Sequence, residues 1–122
     1  MANNITHTYQ LRKQIGEVGY YASIELEVVL QVGSELHITF ESDIAEQWRL
    51  PIKFGATHFF RYFGRSRREG LQVFVRELNW FPMDTSPMIV AYVTIKCLCE
   101  MLNVPDTMIA FDETTGEFRL SK

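Results

Sequence analysis

The chain has 122 residues, of which 47% are hydrophobic and 13% aromatic, and its formal net charge is -3. The length predicts one domain over residues 1–122, and the composition excludes an intrinsically disordered chain. The acidic balance weighs against nucleic acid as a default partner, because phosphate binding depends on clustered lysine and arginine. No signal peptide is evident, and the longest apolar run, Met88 to Val93, is too short to cross a bilayer. We therefore expect a soluble, cytoplasmic protein with no membrane contact.

The first part of the chain predicts three strands. Residues 5–11 form a short leading strand, and the two glycines of 16–19 indicate a loop. Polar and apolar residues alternate over 20–32, which is typical of a long strand with one exposed face. After a turn the alternation resumes over 36–42, and we expect these last two strands to form a hairpin.

The middle of the chain predicts an amphipathic helix. Pro51 is expected to stop any long helix around it, because proline lacks an amide hydrogen and clashes with the preceding turn. From Ala56 to Arg68 apolar residues recur at helical spacing on one broad face. Gly70 is expected to end this helix, as a carboxyl-terminal glycine commonly does.

The last third of the chain predicts a strand, a second helix and a hairpin. Residues 71–78 alternate as a strand does. Ser86 is expected to cap a helix with Pro87 in its first turn. That helix is apolar on almost every side and ends at Asn103 and Pro105, so we expect it to be buried. Two short strands around a glycine-containing turn follow.

The predicted elements follow the order β-β-β-α-β-α-β-β. Because most of the strands alternate, we expect a largely antiparallel sheet with one covered face. Two helices are available to cover that face. The fold class that follows is α+β, a two-layer sandwich.

Four basic residues lie on the polar side of the predicted 56–68 helix: His58, Arg61, Arg65 and Arg68. We call this set the arginine stripe. Arginine forks match phosphate oxygens, so the stripe is a candidate for anion or RNA binding. An amphipathic helix also needs a polar outer face, and arginine suits the carboxyl end of the helix dipole. The pattern favours a solvated helix face and keeps RNA binding as the alternative.

The loop after the fourth strand is crowded with large apolar side chains, since Trp80, Phe81 and Met83 surround Pro82. Loops lie at the protein surface, and exposed aromatic clusters often mark contact sites. The same side chains could instead fold back over the end of the core, and the sequence leaves both interpretations open. If they are exposed, we expect a protein-binding or self-association patch at this loop.

No motif for catalysis or metal binding is present. The histidines have no HExxH-type partners, and GxSxG, P-loop and GxGxxG motifs are missing. Cys97 and Cys99 are two residues apart on a predicted helix, so a disulfide between them is geometrically implausible. We expect both to be buried apolar residues, and we expect neither a cofactor nor a metal. Residues distant in the sequence could still converge, so an enzyme stays open as the least favoured alternative.

Three stretches, in their order and spacing, resemble domain IV of translation elongation factor G. "RKQIGEVGYYASIELEV" is similar to the start of that domain, where a basic residue and a glycine-containing loop lead into a long strand. "GLQVFVREL" resembles the strand after its first helix, and "MDTSPMIVAYVTIKCL" resembles the segment that opens its second helix. The resemblance covers residues 5–103, and the C-terminal hairpin at 104–122 lies outside it.

This resemblance implies a ribosomal-protein-like β-α-β sandwich in a stand-alone and divergent form. In the family, two loops at one tip approach the decoding centre of the small ribosomal subunit. They correspond by position to residues 15–19 and 79–83 of this chain. The family's loops are polar, whereas these are apolar or acidic, and nothing in the chain resembles the GTPase domain. The resemblance therefore supports the fold better than it supports translocation on the ribosome.

Three hypotheses for function follow. The leading one is a small non-enzymatic domain that acts through protein contacts or self-association at the 80–83 loop, with an unidentified protein or a second copy as partner. The second is RNA or ribosome binding through the arginine stripe, which predicts an affinity that falls steeply with salt. The third is an enzyme with an unrecognised site, which predicts a polar pocket with shifted pKa values.

Overall fold

The structure is a computed structural model that describes residues 4–65, 67–105 and 109–120. It confirms the α+β class, because two helices pack on a mostly antiparallel sheet of four strands, and two short strands pair separately. The element order is the predicted one, with these bounds: β1 Asn4–Ile15, β2 Val18–Gln31, β3 Leu36–Phe40, α1 Glu46–Phe63, β4 Gly70–Asn79, α2 Pro87–Leu102, β5 Ile109–Phe111 and β6 Phe118–Leu120.

The four-stranded sheet runs in the order β1-β2-β4-β3, and only β3 and β4 are parallel to each other. The predicted hairpin between 20–32 and 36–42 is therefore wrong, since β4 lies between these strands. Burial explains the difference: Leu71, Val73 and Val75 of β4 are fully buried opposite apolar positions of β2. The more apolar β4 occupies the centre, and α1 makes the crossover that a parallel pair requires.

Strands β1 and β2 form a long hairpin that pairs along its whole length. Gly16 and Glu17 make its turn, and Gly16 has the positive φ of 60° that tight hairpin turns favour. The predicted 5–11 strand is thus too short, and the predicted 16–19 loop is too long. The length of β1 is hard to predict from the sequence. It is an edge strand, and most of its residues are exposed or only half-buried.

Helix α1 begins at Glu46 and contains Pro51, so the prediction that this proline stops a helix is wrong. A proline inside a helix costs about 3 kcal/mol. Fully burying a large apolar side chain contributes about 1.5–3 kcal/mol. Trp48 and Ile52 flank the proline and are both buried at helical spacing, so their packing offsets its cost.

Helix α2 confirms the sequence prediction in its ends and its burial. The hydroxyl of Ser86 accepts a hydrogen bond from the amide of Ile89 at 3.3 Å, and Asn103 ends the helix in the left-handed conformation. Most of the helix is buried, including Cys97 and Cys99, which are free thiols as expected. In the described part of the chain, no helix has the length and apolar content needed to span a membrane.

The C-terminal hairpin is formed by β5 and β6, as predicted. Residues 106–108 and 121–122 of the predicted 104–122 segment lie outside the described residues. The ring of Tyr92 on α2 lies 6.0 Å from that of Phe111 and 5.2 Å from that of Phe118, between centroids. Lys13 Nζ also lies 2.8 Å from Glu113 Oε1. The hairpin therefore packs on both α2 and β1.

The sheet face turned away from the helices is polar, and one arginine organises its charges. Arg76 Nε lies 3.0 Å from Glu27 Oε1, and its Nη1 lies 2.9 Å from Glu41 Oε1. Hydrogen bonding to Arg76 holds the pKa of Glu27 below its ordinary value. The positive charge of Arg76 is thus engaged by carboxylates of the same face.

Candidate protein-contact site

Two segments meet at one end of the sheet: the β1–β2 turn and the loop that joins β4 to α2. The amide of Tyr21 donates to the carbonyl of Asp84 at 3.0 Å, and the hydroxyl of Thr85 donates to the carbonyl of Tyr21 at 2.6 Å. Gly19 permits this approach, since a Cβ atom there would lie 2.8 Å from the carboxyl carbon of Asp84. The β1–β2 turn and the β4–α2 loop are therefore neighbours.

The β4–α2 loop is also held by hydrogen bonds of its own. The amide of Phe81 donates to the hydroxyl of Thr85 at 3.0 Å. The amides of Asp84 and Thr85 donate to the carbonyl of Phe81 at 3.2 and 3.1 Å. Both ends of the loop are therefore held by hydrogen bonds within the loop itself.

Three apolar side chains are exposed where these segments meet. The exposed fraction is 53% for Val18, 51% for Phe81 and 92% for Met83. We call these three residues the apolar tip. The ring of Phe81 stacks on that of Tyr21, with 4.5 Å between centroids, so it is oriented while half of the residue faces solvent. These exposed side chains therefore lie on two segments that are hydrogen-bonded to each other.

The three predicted contact residues of the loop divide between surface and interior. Phe81 and Met83 are exposed, whereas the half-buried Trp80 packs edge-on against Trp48, with 5.3 Å between centroids. Trp80 thus folds back toward the core, whereas Phe81 and Met83 do not. Val18 is not among the predicted contact residues. Its signal in the sequence is an apolar residue directly after a turn, where a polar residue is usual.

The arginine stripe is not a continuous helix face. Its first two members lie on α1, but α1 ends at Phe63, and the last two follow in the segment that leads to β4. The predicted helix end at Gly70 is wrong, because Gly70 is the first residue of β4. It is buried so closely that a Cβ atom there would lie 2.8 Å from the carbonyl oxygen of Glu35. The chain must leave the helix early to reach this strand.

Near the end of α1, Arg67 forms an ion pair, whereas the arginines of the stripe do not. Arg67 Nε lies 2.8 Å from Glu69 Oε1, and its guanidinium lies 4.9 Å from the ring centroid of Phe63. No carboxylate of the described residues forms an ion pair with the stripe's three arginines. Arg68 lines a groove of about 410 Å³ with Gly33. The stripe therefore keeps positive charge available to an anion.

The titratable side chains with the largest pKa shifts belong to the packed region of β1 and α2. Burial raises the pKa of Cys97 to about 12, so its thiol stays protonated near neutral pH and is a poor nucleophile. Burial also raises the pKa of Tyr9, together with its hydrogen bond to Tyr92. Within the described ranges, no three His, Cys, Asp or Glu side chains are placed to hold a metal ion.

Comparison with known proteins identifies a shared fold. No protein-family model and no curated protein matches the chain. Among the solved structures that do match is a protein of Thermus thermophilus whose description names no activity. The TM-score is 0.66 at 11% sequence identity, and the match covers 83% of this chain and 16% of that one. The chain is thus an α+β sandwich. At one end of its sheet, two neighbouring segments expose apolar side chains.

Proposed function

We propose that this chain is a non-enzymatic binding domain of the elongation factor G domain IV type, which contacts a protein partner through the apolar tip. The observation that carries the proposal is the bonding of two loops to each other at one end of the sheet. Together they expose Val18, Phe81 and Met83. Residues 5–103 would form the domain IV-like part, and 104–122 a hairpin added to it.

The connectivity supports this assignment. The three stretches that resemble the family fall on the β1–β2 hairpin, on β4 and on the start of α2. These elements supply three of the four strands of the sheet and one of the two helices, and β3 and α1 complete them through the β3-α1-β4 crossover. The β5–β6 hairpin pairs only with itself in the described structure. A shared fold does not determine the partner. The kind of partner is therefore inferred from the chemistry of the apolar tip.

The chemistry of the tip favours a partner with an apolar patch and a basic rim. Burial of exposed apolar surface contributes about 25 cal/mol per Å². The hydrogen-bonded loop is already ordered, so little conformational entropy is lost on binding. Glu17 and Asp84 add negative charge beside the apolar side chains, which suits lysine and arginine on the partner. The family's tip approaches the small ribosomal subunit, so that particle is the first partner to test.

The experiment is co-sedimentation of the protein with small ribosomal subunits. The tip variant carries Val18→Ser, Phe81→Ser and Met83→Ser, and we expect at least a roughly tenfold loss of affinity because the apolar contact area is removed. The matched control carries Val32→Ser and Leu120→Ser, which are exposed apolar residues away from the tip. We expect the control to sediment as the wild type does. Wild-type protein that fails to sediment excludes the small ribosomal subunit as the partner, and a tip variant that sediments equally well contradicts the proposal.

A second candidate function is RNA binding through the arginine stripe. The observation in its favour is that Arg61, Arg65 and Arg68 form no ion pair with the described carboxylates, whereas Arg67 and Arg76 do. A guanidinium group that forms no ion pair can approach phosphate oxygens without breaking one. Arg65 keeps a cation–π contact with Tyr62, at 5.6 Å from the ring centroid. Each phosphate contact releases counterions, so binding of this kind weakens as salt increases.

The same assay separates the two candidates. Three phosphate contacts predict a roughly 20- to 40-fold loss of affinity between about 50 and 200 mM salt, whereas an apolar contact loses little. A variant with Arg61→Glu, Arg65→Glu and Arg68→Glu removes this salt-sensitive part if the stripe binds RNA. Salt-insensitive sedimentation that persists in this variant and is lost in the tip variant supports the protein contact alone.

A further inference from the structure

Charge is segregated along the chain, and most of α1 lies in its basic part. Six of the 12 lysines and arginines fall in residues 47–68, whereas none of the 15 acidic residues does. The carboxylates that flank this stretch, Glu46 and Glu69, form ion pairs with Arg49 and Arg67. The stretch is therefore strongly positive in a chain whose formal net charge is -3.

A groove on the outer face of α1 combines this positive charge with exposed apolar surface. In the described structure it has a volume of about 430 Å³ and is lined by six residues, none of them acidic: Leu50, Lys53, Phe54, Thr57, His58 and Arg61. Leu50 is 75% exposed and Phe54 is 47% exposed. The ring of Phe54 lies nearly parallel to that of His58, with 15° between the planes and 6.1 Å between centroids. The groove therefore offers a planar aromatic surface beside cationic side chains.

Lys53 and Arg61 supply the positive charge of the groove. Neither forms an ion pair with a carboxylate of the described residues. Lys53 keeps a cation–π contact with Phe40, with its Nζ 5.9 Å from the ring centroid. At 1.5 Å per residue, the two cations are about 12 Å apart along the helix axis, with Phe54 between them in the sequence. Each can therefore contact a phosphate without breaking an ion pair.

We propose that this groove binds single-stranded RNA, with a base stacked on Phe54 and the neighbouring phosphates bound by Lys53 and Arg61. The inference rests on the RNA-binding candidate given above, and it adds to that candidate the base contact and the single strand. Proteins bind single strands by combining a positively charged groove with aromatic side chains on which bases stack. In a duplex the base faces are covered by their neighbours, so Phe54 would have no base to contact.

Thr57 gives the groove a means to favour RNA over DNA. Its side chain lines the groove beside Phe54. The ribose 2′-hydroxyl, which distinguishes RNA from DNA, both donates and accepts hydrogen bonds, and so does a threonine hydroxyl. Stacking on an aromatic ring accepts every base, so we expect little dependence on sequence. Binding through phosphates should weaken as salt increases.

Fluorescence anisotropy of a labelled oligouridylate of about 12 nucleotides, titrated with the full chain at several salt concentrations, tests the proposal. Phe54→Ala should weaken binding at least roughly tenfold and leave the salt dependence unchanged, because it removes a stacked base and no phosphate contact. The double variant Lys53→Ala and Arg61→Ala should lower the slope of log affinity against log salt by about 1.4, since each contact with a single strand contributes about 0.7. Thr57→Val should reduce the preference for oligouridylate over oligodeoxyuridylate of the same length.

Matched controls carry the same kinds of change elsewhere. Phe81→Ala removes a phenylalanine that is 51% exposed, close to the value for Phe54. The double variant Arg12→Ala and Arg119→Ala removes two exposed arginines, on β1 and β6. We expect both controls to bind the oligouridylate with the affinity and the salt dependence of the wild type. Because Phe81 belongs to the apolar tip, its control also separates this inference from the proposed function.

The remaining outcomes each overturn a stated part of the inference. A duplex RNA of the same length that binds as tightly, or Phe54→Ala that binds as the wild type does, overturns the single strand and its base contact. Phosphate binding by the arginine stripe would then remain. Equal affinity for oligodeoxyuridylate overturns the assignment to RNA. A wild type that binds no oligouridylate overturns both this inference and the RNA-binding candidate, and it leaves the protein contact at the apolar tip unaffected.

Discussion

At Arg76, one side chain engages two carboxylates on the open face of the sheet. Glu27 and Glu41 both accept hydrogen bonds from it, and its guanidinium lies 4.9 Å from the ring centroid of Phe74. The neighbouring Glu25 lies directly opposite Glu77 in the pairing of β2 and β4, where like charges repel. Arg76 thus reduces the repulsion on a face that would otherwise be uniformly acidic at this position.

This arrangement predicts that acid stability depends on Arg76. The pKa of Glu27 is lowered in the folded chain, so the stabilisation is present above the ordinary glutamate pKa and is lost as pH falls through the lowered value. Arg76→Met removes the main cause of that shift. Thermal unfolding at about pH 6 and about pH 3 should therefore show a smaller pH-dependent fall in Tm for the variant than for the wild type.

Arg12→Met provides the control for this measurement, because Arg12 is an exposed arginine on the edge strand. It should keep the full pH-dependent fall in Tm. An equal fall in Tm between the two pH values for wild type and Arg76→Met would show that Glu27 gains no stabilisation from the arginine.

At the scale of elements, the close approach of α1 and α2 depends on Gly55. A Cβ atom at this position would lie 2.9 Å from the carbonyl oxygen of Ala91 and 3.1 Å from the Cβ atom of Thr94. Backbone atoms of a buried helix cannot move without disturbing their neighbours. The glycine therefore sets how closely the two helices can pack.

Gly55→Ala is accordingly expected to destabilise the chain, although alanine is the better helix former by about 1 kcal/mol. Overpacking of this kind costs about 1–3 kcal/mol, which outweighs the gain in propensity. Urea unfolding measures the difference. Gly64→Ala is the matched control, since a Cβ atom there meets its nearest neighbour at 3.4 Å and φ is -66°. A Gly55→Ala variant as stable as this control would show that the helices can separate freely.

The elements themselves were predictable where local chemistry determines them. The cap at Ser86 and the apolar sequence of α2 define that helix without help from the rest of the chain. The end of α1 and the place of β3 could not be predicted in this way. Both depend on β4, which pairs with β2 and β3 across long sequence separations. The prediction at Pro51 was wrong because the energetic cost of a proline in a helix can be read from the local sequence. The burial of Trp48, which offsets that cost, depends on tertiary packing.

At the scale of the whole molecule, the C-terminal hairpin attaches through aromatic and aliphatic contacts. Ile109 is 1% exposed, and the ring of Phe111 lies 5.3 Å from that of Tyr20. The sheet of four strands and both helices are complete before this hairpin begins. We therefore expect a chain that stops at Asn103 to fold, with a lower stability than the full chain.

The expected loss is about 3–6 kcal/mol, from the apolar burial that Ile109, Phe111 and Phe118 provide. Urea unfolding followed by near-ultraviolet circular dichroism measures it, with Leu120→Ser in the full chain as the control for an exposed β6 position. A truncated chain without a cooperative transition would contradict the division at residue 103. It would make the hairpin an integral part of the same folding unit.

The candidate site was predictable only in part, because it depends on tertiary proximity. The loop composition indicated Phe81 and Met83, but the sequence could not show that Trp80 turns toward Trp48. The contribution of Val18 follows from the bonding of Tyr21 to Asp84, which joins two distant segments. The first turns of α1 could not be predicted from the sequence, because Pro51 was expected to stop any long helix around it.

The position of β4 between β2 and β3 has a consequence for how the chain is made. Synthesis proceeds from the amino terminus, and domains fold as their residues emerge. The β1–β2 hairpin can form early, but β3 has no strand to pair with until β4 has left the ribosome. Until then the inner edge of β2 and the whole of β3 present unpaired backbone groups, which other chains can bind. The nascent protein is therefore most exposed to misassembly in the interval between the emergence of β3 and that of β4.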